Sequence, residues 1–147
     1  MASVAELANI RKNMSGRKNT ILLVDDESAI TRIFEAELTR IGYDVLTAGN
    51  ALEAQRIATE SDFTIDLLIT DWMMPHGKGD QLACDLLVQR PTMKVVLMSG
   101  HPEANAACQA FPKDKLVFIQ KPFGVAELNG TIRQLLGLSD KQDSQVT

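Results

Sequence analysis

Asp25, Asp26, Asp71 and Lys121 share one local context. Each stands at the end of a short run of apolar, mostly branched residues: Ile21-Leu22-Leu23-Val24 before Asp25 and Asp26, Leu67-Leu68-Ile69-Thr70 before Asp71, and Val117-Phe118-Ile119-Gln120 before Lys121. Runs of this length and composition are expected of strands buried on both faces of a parallel sheet. In an open α/β sheet the carboxyl ends of the strands converge on one crevice, where ligands bind. Three carboxylates and one ammonium are therefore expected to meet at one edge. Carboxylates so crowded repel each other and call for a cation, and an all-oxygen donor set suits a hard divalent ion such as Mg²⁺.

Taken singly, each of these residues has a plainer reading. An acidic pair after a strand also serves as a turn or a helix cap. Lys121-Pro122 is a common loop dipeptide, although the proline pushes Lys121 into extended geometry and so aims it out from the strand end. Ser99-Gly100, closing a fourth apolar run, is also a turn marker. Asp71 is the sharper signal, because the apolar loop start Trp72-Met73-Met74-Pro75 that follows it is unusual for a solvated turn. Jointly, four strands would bring Asp25, Asp26, Asp71, Ser99 and Lys121 to one edge. Such a group can hold Mg²⁺, present a carboxylate nucleophile, and offer a hydroxyl and an ammonium to a phosphoryl group. Phosphoryl transfer, which is mainly positioning and charge neutralisation, needs these parts.

The elements that would position them alternate along the chain. Strands are predicted at residues 20–25, 44–48, 67–71, 94–99 and 116–120. Helices are predicted at 28–41, 50–60, 80–90, 102–110 and 125–136. The first helix has an apolar stripe of Ile30, Ile33, Phe34, Leu38 and Ile41, Ser28 as its N-cap and Gly42 as its stop. Asn50 caps the second, with Leu52, Ile57 and Ala58 facing inward. Pro91 stops the third. The fourth is Ala-rich with few large anchors, hence weak, and Gly137 ends the fifth. Five βα units in succession argue for an α/β fold, a doubly wound parallel sheet with helices on both faces. Strand order does not follow from this pattern.

The chain has 147 residues, 45% hydrophobic and 23% charged, the size and composition of one globular domain. Its net charge of −4 argues against nucleic-acid binding, which needs concentrated Lys and Arg. Cys84 and Cys108 lack metal-ligand spacing and read as small apolar residues on helices in a reducing compartment. No apolar run approaches the ~20 residues that span a bilayer, and no apolar signal core opens the chain. A cytoplasmic location without membrane insertion is expected. Residues 1–19, with Arg11, Lys12, Arg17 and Lys18 among Val4, Leu7, Ile10 and Met14, read as a flexible extension or a short amphipathic helix. Residues 20–137 form the domain, and 138–147 read as a disordered polar tail.

Val24-Asp25-Asp26-Glu27, Asp71 with Met74-Pro75 and Gly79, Ser99-Gly100 and Lys121-Pro122-Phe123 together resemble the receiver domain of bacterial two-component response regulators. The likeness covers about Asn19 to Gly137. Ser99-Gly100 and Gln120-Lys121-Pro122-Phe123 look most like receivers attached to, or working with, hybrid sensor kinases. The resemblance implies a flavodoxin-like (βα)₅ sheet of order 2-1-3-4-5. It implies that Asp71 is the phosphoacceptor, taking a phosphoryl group from a histidine kinase or histidine phosphotransfer protein. Asp26, Asp71 and the main-chain carbonyl of Met73 would bind Mg²⁺ directly, with Asp25 acting mainly through water. Lys121 would pair with Asp71 and then with a phosphoryl oxygen. Ser99 and the aromatic at Phe118 would move together as a switch, and the Lys121-Pro122 bond would be cis. Ser at 99 and Phe at 118 depart from the more frequent Thr and Tyr. Met73 and His101 flank the place where the family tunes hydrolysis, and they pull in opposite directions: Met73 hinders a water that His101 can orient. Trp72 reads as a half-buried packing residue or a fluorescence reporter of Mg²⁺ binding.

No effector domain is read after Gly137, so the expected role is a receiver acting through a downstream protein. The surface would lie around the fourth helix, the fifth strand and the fifth helix. Alternatives are a phosphate shuttle or sink docking through the first helix near Ile30 and Phe34, or a receiver excised from a hybrid kinase. The only catalysis expected is of its own phosphorylation and hydrolysis. A phosphatase of the haloacid-dehalogenase type is disfavoured because Met73 stands where its second Asp would be.

Overall fold

A computed structural model describes residues 18–75 and 77–138. The expectations for the N-terminal extension and the polar tail therefore fall almost wholly outside the described residues. Five strands, β1 (Thr20–Val24), β2 (Asp44–Ala48), β3 (Leu67–Asp71), β4 (Lys94–Ser99) and β5 (Leu116–Gln120), alternate with five helices, α1 (Ser28–Ile41), α2 (Ala51–Glu60), α3 (Gly79–Gln89), α4 (Ala104–Cys108) and α5 (Val125–Leu136). The strands pair in parallel in the order β2-β1-β3-β4-β5. This is the flavodoxin-like order.

The sheet divides two apolar layers, because successive side chains leave a strand on opposite faces. Leu22, Val24, Leu68, Val95 and Leu97 face α2, α3 and α4, whose inward residues include Ala54, Leu82, Leu86 and Ala104. Ile21, Leu23, Ile69, Val96 and Met98 face α1 and α5 through Leu38, Leu128 and Ile132. Burial on both faces explains why β1, β3 and β4 read as continuous apolar runs.

Several local expectations are corrected. The N-cap of α1 is Glu27 rather than Ser28, and Ser28 is the first helical residue. Ile33 on α1 is 61% exposed and Leu52 on α2 is 72% exposed, so neither belongs to the core. In α2 the buried residues are Ala51, Ala54 and Ala58, while Ile57, expected to face inward, packs partly buried against the same layer. Helix α4 has five residues rather than nine, since its Ala-rich sequence offers little more than Ala104 and Cys108 as buried anchors. The Asn50 cap is present, its side chain accepting the Glu53 N–H at 2.8 Å. Gly42 and Gly137 end α1 and α5 with positive φ.

The loop from β3 into α3 folds back on the strand end. Gly79 N–H donates to the Trp72 carbonyl at 2.7 Å. A Cβ at Gly79 would fall on the Asp71 carbonyl oxygen and lie 3.0 Å from Leu97 Cδ1. Only glycine fits this approach. Gly79→Ala is expected to destabilise the protein by about 1–3 kcal/mol. Gly130→Ala, in α5 with open space around its Cα, is expected to stabilise it by about 0.4–1 kcal/mol. Urea denaturation of the two variants against the parent checks both signs.

Candidate functional site

Register builds the site. Val24 lies opposite Thr70, so the next residues, Asp25 and Asp71, leave neighbouring strands side by side. Asp71 lies opposite Met98, which puts Ser99 one step beyond it on β4. Ser99 lies opposite Gln120, which delivers Lys121 to the same edge. The Lys121 N–H donates to the Ser99 carbonyl at 2.8 Å, tying the two strand ends together. The Lys121-Pro122 bond is cis, as the resemblance implies.

One carboxylate oxygen each from Asp25, Asp26 and Asp71 lies within 4.8 Å of the others. Asp25 is buried, Asp71 nearly so, and Asp26 faces solvent. The Asp25 carboxylate accepts the Glu27 N–H at 2.9 Å, an Asx turn that starts α1 and locks the carboxyl group. The Lys121 ammonium sits between the two buried carboxylates, 3.4 Å from Asp25 Oδ2 and 3.3 Å from Asp71 Oδ2. Burial pushes the Asp71 carboxyl above the usual carboxylate range; Lys121 opposes this and the Asp25 charge adds to it. Burial pulls the Lys121 ammonium down, but Asp25 and Asp71 outweigh it and hold the ammonium above its ordinary value.

Ser99 is 1% exposed, and its Oγ accepts the His101 backbone N–H at 2.9 Å. Met73 stands two residues past Asp71 with its side chain half exposed. Phe118 is not part of the polar crevice. It is half-buried against the sheet layer that carries α4. Asp25, Asp26, Asp71, Ser99 and Lys121 are thus brought together, with Met73 at the rim and Phe118 behind.

Sequence reasoning missed several neighbours. Thr31 donates its hydroxyl to the Glu27 carbonyl at 3.1 Å, steadying the first turn of α1 beneath Asp25. Phe34 on α1 meets Phe123 after the cis proline, with ring centroids 5.4 Å apart. The Lys78 ammonium lies 5.5 Å from the centroid of the Trp72 ring. An aspartate two residues ahead of a helix N-cap is a legible signal for the Asx turn. Nothing local signals the ring contacts.

The donor set fits a divalent cation. Oxygens bound to Mg²⁺ at about 2.0–2.1 Å lie roughly 3 Å apart when adjacent and about 4 Å apart when opposite. Oxygens already within 4.8 Å need only a small contraction. Three carboxylates against one ammonium also leave an excess negative charge that a divalent ion balances.

The molecule is a doubly wound, flavodoxin-like α/β domain with a carboxylate trio and a lysine at the carboxyl edge of its sheet. Comparison with known proteins gives the family. The model of the response regulator receiver domain matches residues 21–133, and the chain belongs to that family of two-component signalling domains. The sensor kinase CckA of Brucella abortus is 34% identical over 125 residues, 84% of this chain and 13% of that protein, so the chain spans about an eighth of this relative. A crystal structure of the receiver domain from hybrid histidine kinase CckA superposes with a TM-score of 0.69 at 32% identity, covering 80% of this chain and 99% of that one. The response regulator TrrA from Thermotoga maritima, in complex with Mg²⁺ and a beryllium fluoride, superposes with a TM-score of 0.69 at 27% identity, covering 80% of this chain and 98% of that one. Among the described residues no helix is long and apolar enough to cross a membrane.

The raised Asp71 value has a consequence for stability. Because the fold favours the protonated form, the contribution of Asp71 is fully present below the ordinary aspartate range of about 4 and is lost as pH rises through the raised value. Without divalent metal, ionised Asp71 is a net cost to the fold. Asp71→Asn is expected to raise the melting temperature at pH 7, with a gain that shrinks on acidification; thermal melts in chelator across that range check it.

Proposed function

We propose that Asp71 is the phosphoacceptor of this receiver, taking its phosphoryl group from a histidine on a kinase or a phosphotransfer protein. The observation that carries the reading is the Lys121 ammonium held between the buried carboxylates of Asp25 and Asp71, with Asp26 alongside. In the transfer, the Asp71 carboxylate attacks phosphorus as the bond to the partner's imidazole nitrogen breaks, and the histidine leaves after taking up a proton. The product is an acyl phosphate on Asp71.

Asp26, Asp71 and the Met73 carbonyl would hold Mg²⁺, with Asp25 acting mainly through water. When bound, the ion neutralises the phosphoryl oxygens. A structural relative in complex with Mg²⁺ and a beryllium fluoride supports this assignment. Lys121 holds Asp71 in line before transfer and passes its ammonium to a phosphoryl oxygen afterwards. Ser99 gives up the His101 N–H and donates its hydroxyl to the phosphoryl group, and Phe118 follows inward. Phosphorylation then shifts a pre-existing equilibrium toward a different surface around α4, β5 and α5. The exposed side of α1 beside Phe34 and Phe123 is the docking face for the histidine partner. The catalysis it performs is this self-phosphorylation and the hydrolysis of its acyl phosphate, which restores the Asp71 carboxylate and releases inorganic phosphate, in the cytoplasm.

Incubation with Mg²⁺ and acetyl phosphate, followed by intact mass measurement, is expected to add one phosphoryl group. Asp71→Asn and metal chelation should each abolish the gain. No gain under any donor, or a gain that survives in Asp71→Asn, rejects the assignment. Return of the group to a phosphotransfer histidine would mark a relay carrier; a partner retained only by the phosphorylated form would mark an output module.

A further inference from the structure

Trp72, the chain's single tryptophan, follows the proposed phosphoacceptor and is fixed through its backbone. Its N–H donates to the Met98 carbonyl at 2.9 Å, and its carbonyl accepts the Gly79 N–H. The indole N–H is buried and has no acceptor among the described residues. A buried donor left unpaired is a cost. A ring that forgoes a hydrogen bond must be held in place by its faces and edges. The ring packs against the apolar layer that carries α2, α3 and α4, and two further contacts hold it from the site side. Lys78 places its ammonium 5.5 Å from the ring centroid. The His101 imidazole meets the ring at 6.5 Å between centroids and 62° between planes, the edge geometry that aromatic pairs prefer.

His101 is also the residue whose backbone N–H occupies the Ser99 hydroxyl. Its side chain is mostly exposed and otherwise meets Glu103, with Nδ1 3.6 Å from Oε1. Trp72 therefore links two segments next to the site. It joins the start of α3, with Lys78 as its N-cap and Gly79 as its first residue, to the loop after β4, which carries His101 and Glu103. The backbone of Trp72 is tied to β4 and to the start of α3, so a movement of the loop after β4 changes the ring contact with His101.

We propose that Trp72 is a positioning residue: its ring, braced by Lys78, holds His101 and through it the Ser99 hydroxyl in the resting orientation, so that Ser99 turns toward Asp71 only when the Trp72–His101 contact opens. Trp72 thus acts as a brake on the switch. The part played by Ser99 after phosphorylation rests on the function proposed above, while the restraint on His101 does not.

The first test needs no phosphorylation. Backbone amide exchange is followed by NMR in the parent, in Trp72→Ala and in His101→Ala, which removes the same contact from an exposed position. Exchange at position 101 is expected to rise about two- to tenfold, the worth of one aromatic pair, with Val96 in β4 unchanged. The proposal is overturned if, in both variants, position 101 is unaffected or quickens only in step with Val96. The second test is the rate of phosphorylation by acetyl phosphate. Both variants are expected to react about two- to tenfold faster than the parent, and the gain should vanish in a Ser99→Ala background. The same gain without the Ser99 hydroxyl would overturn coupling through Ser99. A parent protein that takes no phosphoryl group would defeat the function proposed above and leave the exchange result to decide the restraint.

Discussion

Crowded negative charge at the carboxyl edge of the sheet is the constraint around which this molecule is organised. Asp25 and Asp71 are removed from water and set side by side by the pairing of β1 with β3. Unpaired, such charges would each carry a large desolvation cost and would repel. The Lys121 ammonium between them relieves part of that cost, and the Glu27 N–H relieves another part at Asp25. What remains is an excess of negative charge at the edge, which suits a divalent cation. The apolar layers on both faces of the sheet supply the stability that lets the edge stay unbalanced.

The loops at that edge are held to different degrees. The loop after β3 is pinned by two backbone hydrogen bonds at Trp72 and by the close approach of Gly79 to Asp71. The loop after β4 leads into a helix of five residues with Ala104 and Cys108 as its buried anchors. A short helix with small anchors opens at lower free energy than one with a full apolar face. The fold therefore places Asp71 beside a backbone held by hydrogen bonds at Trp72 and Gly79, and Ser99 beside a looser segment. A residue that bridges the two, as Trp72 does, is well placed to set the balance between them.

Where local physics was strong, the sequence was easy to read. The bounds of β3, β4 and β5 agree with their apolar runs, and α1 and α5 end at the glycines that stop them. The candidate site was legible as a set of strand-end residues because burial on both faces forces uninterrupted apolar runs, and a charged residue at the end of one stands out. The failures have causes in tertiary packing. Leu52 is the most apolar choice in its turn of α2, yet the way α2 is turned on the sheet gives the inward positions to Ala51, Ala54 and Ala58 and leaves Leu52 exposed. Arg90 read as the last residue of a helix; it caps the far end of α2 by donating to the carbonyls of Ala58, Ser61 and Phe63.

The chain's own order of residues determined the alternation of strands and helices, the chemistry at each strand end and the family resemblance. These depend on side-chain periodicity and on neighbours a few positions apart, and both are local. The tertiary structure decided which strand ends touch. It set Lys121 between Asp25 and Asp71, Phe34 against Phe123, and His101 against Trp72. Those contacts join residues far apart along the chain, and they exist only once strand order and register have closed the sheet, which no short-range pattern encodes.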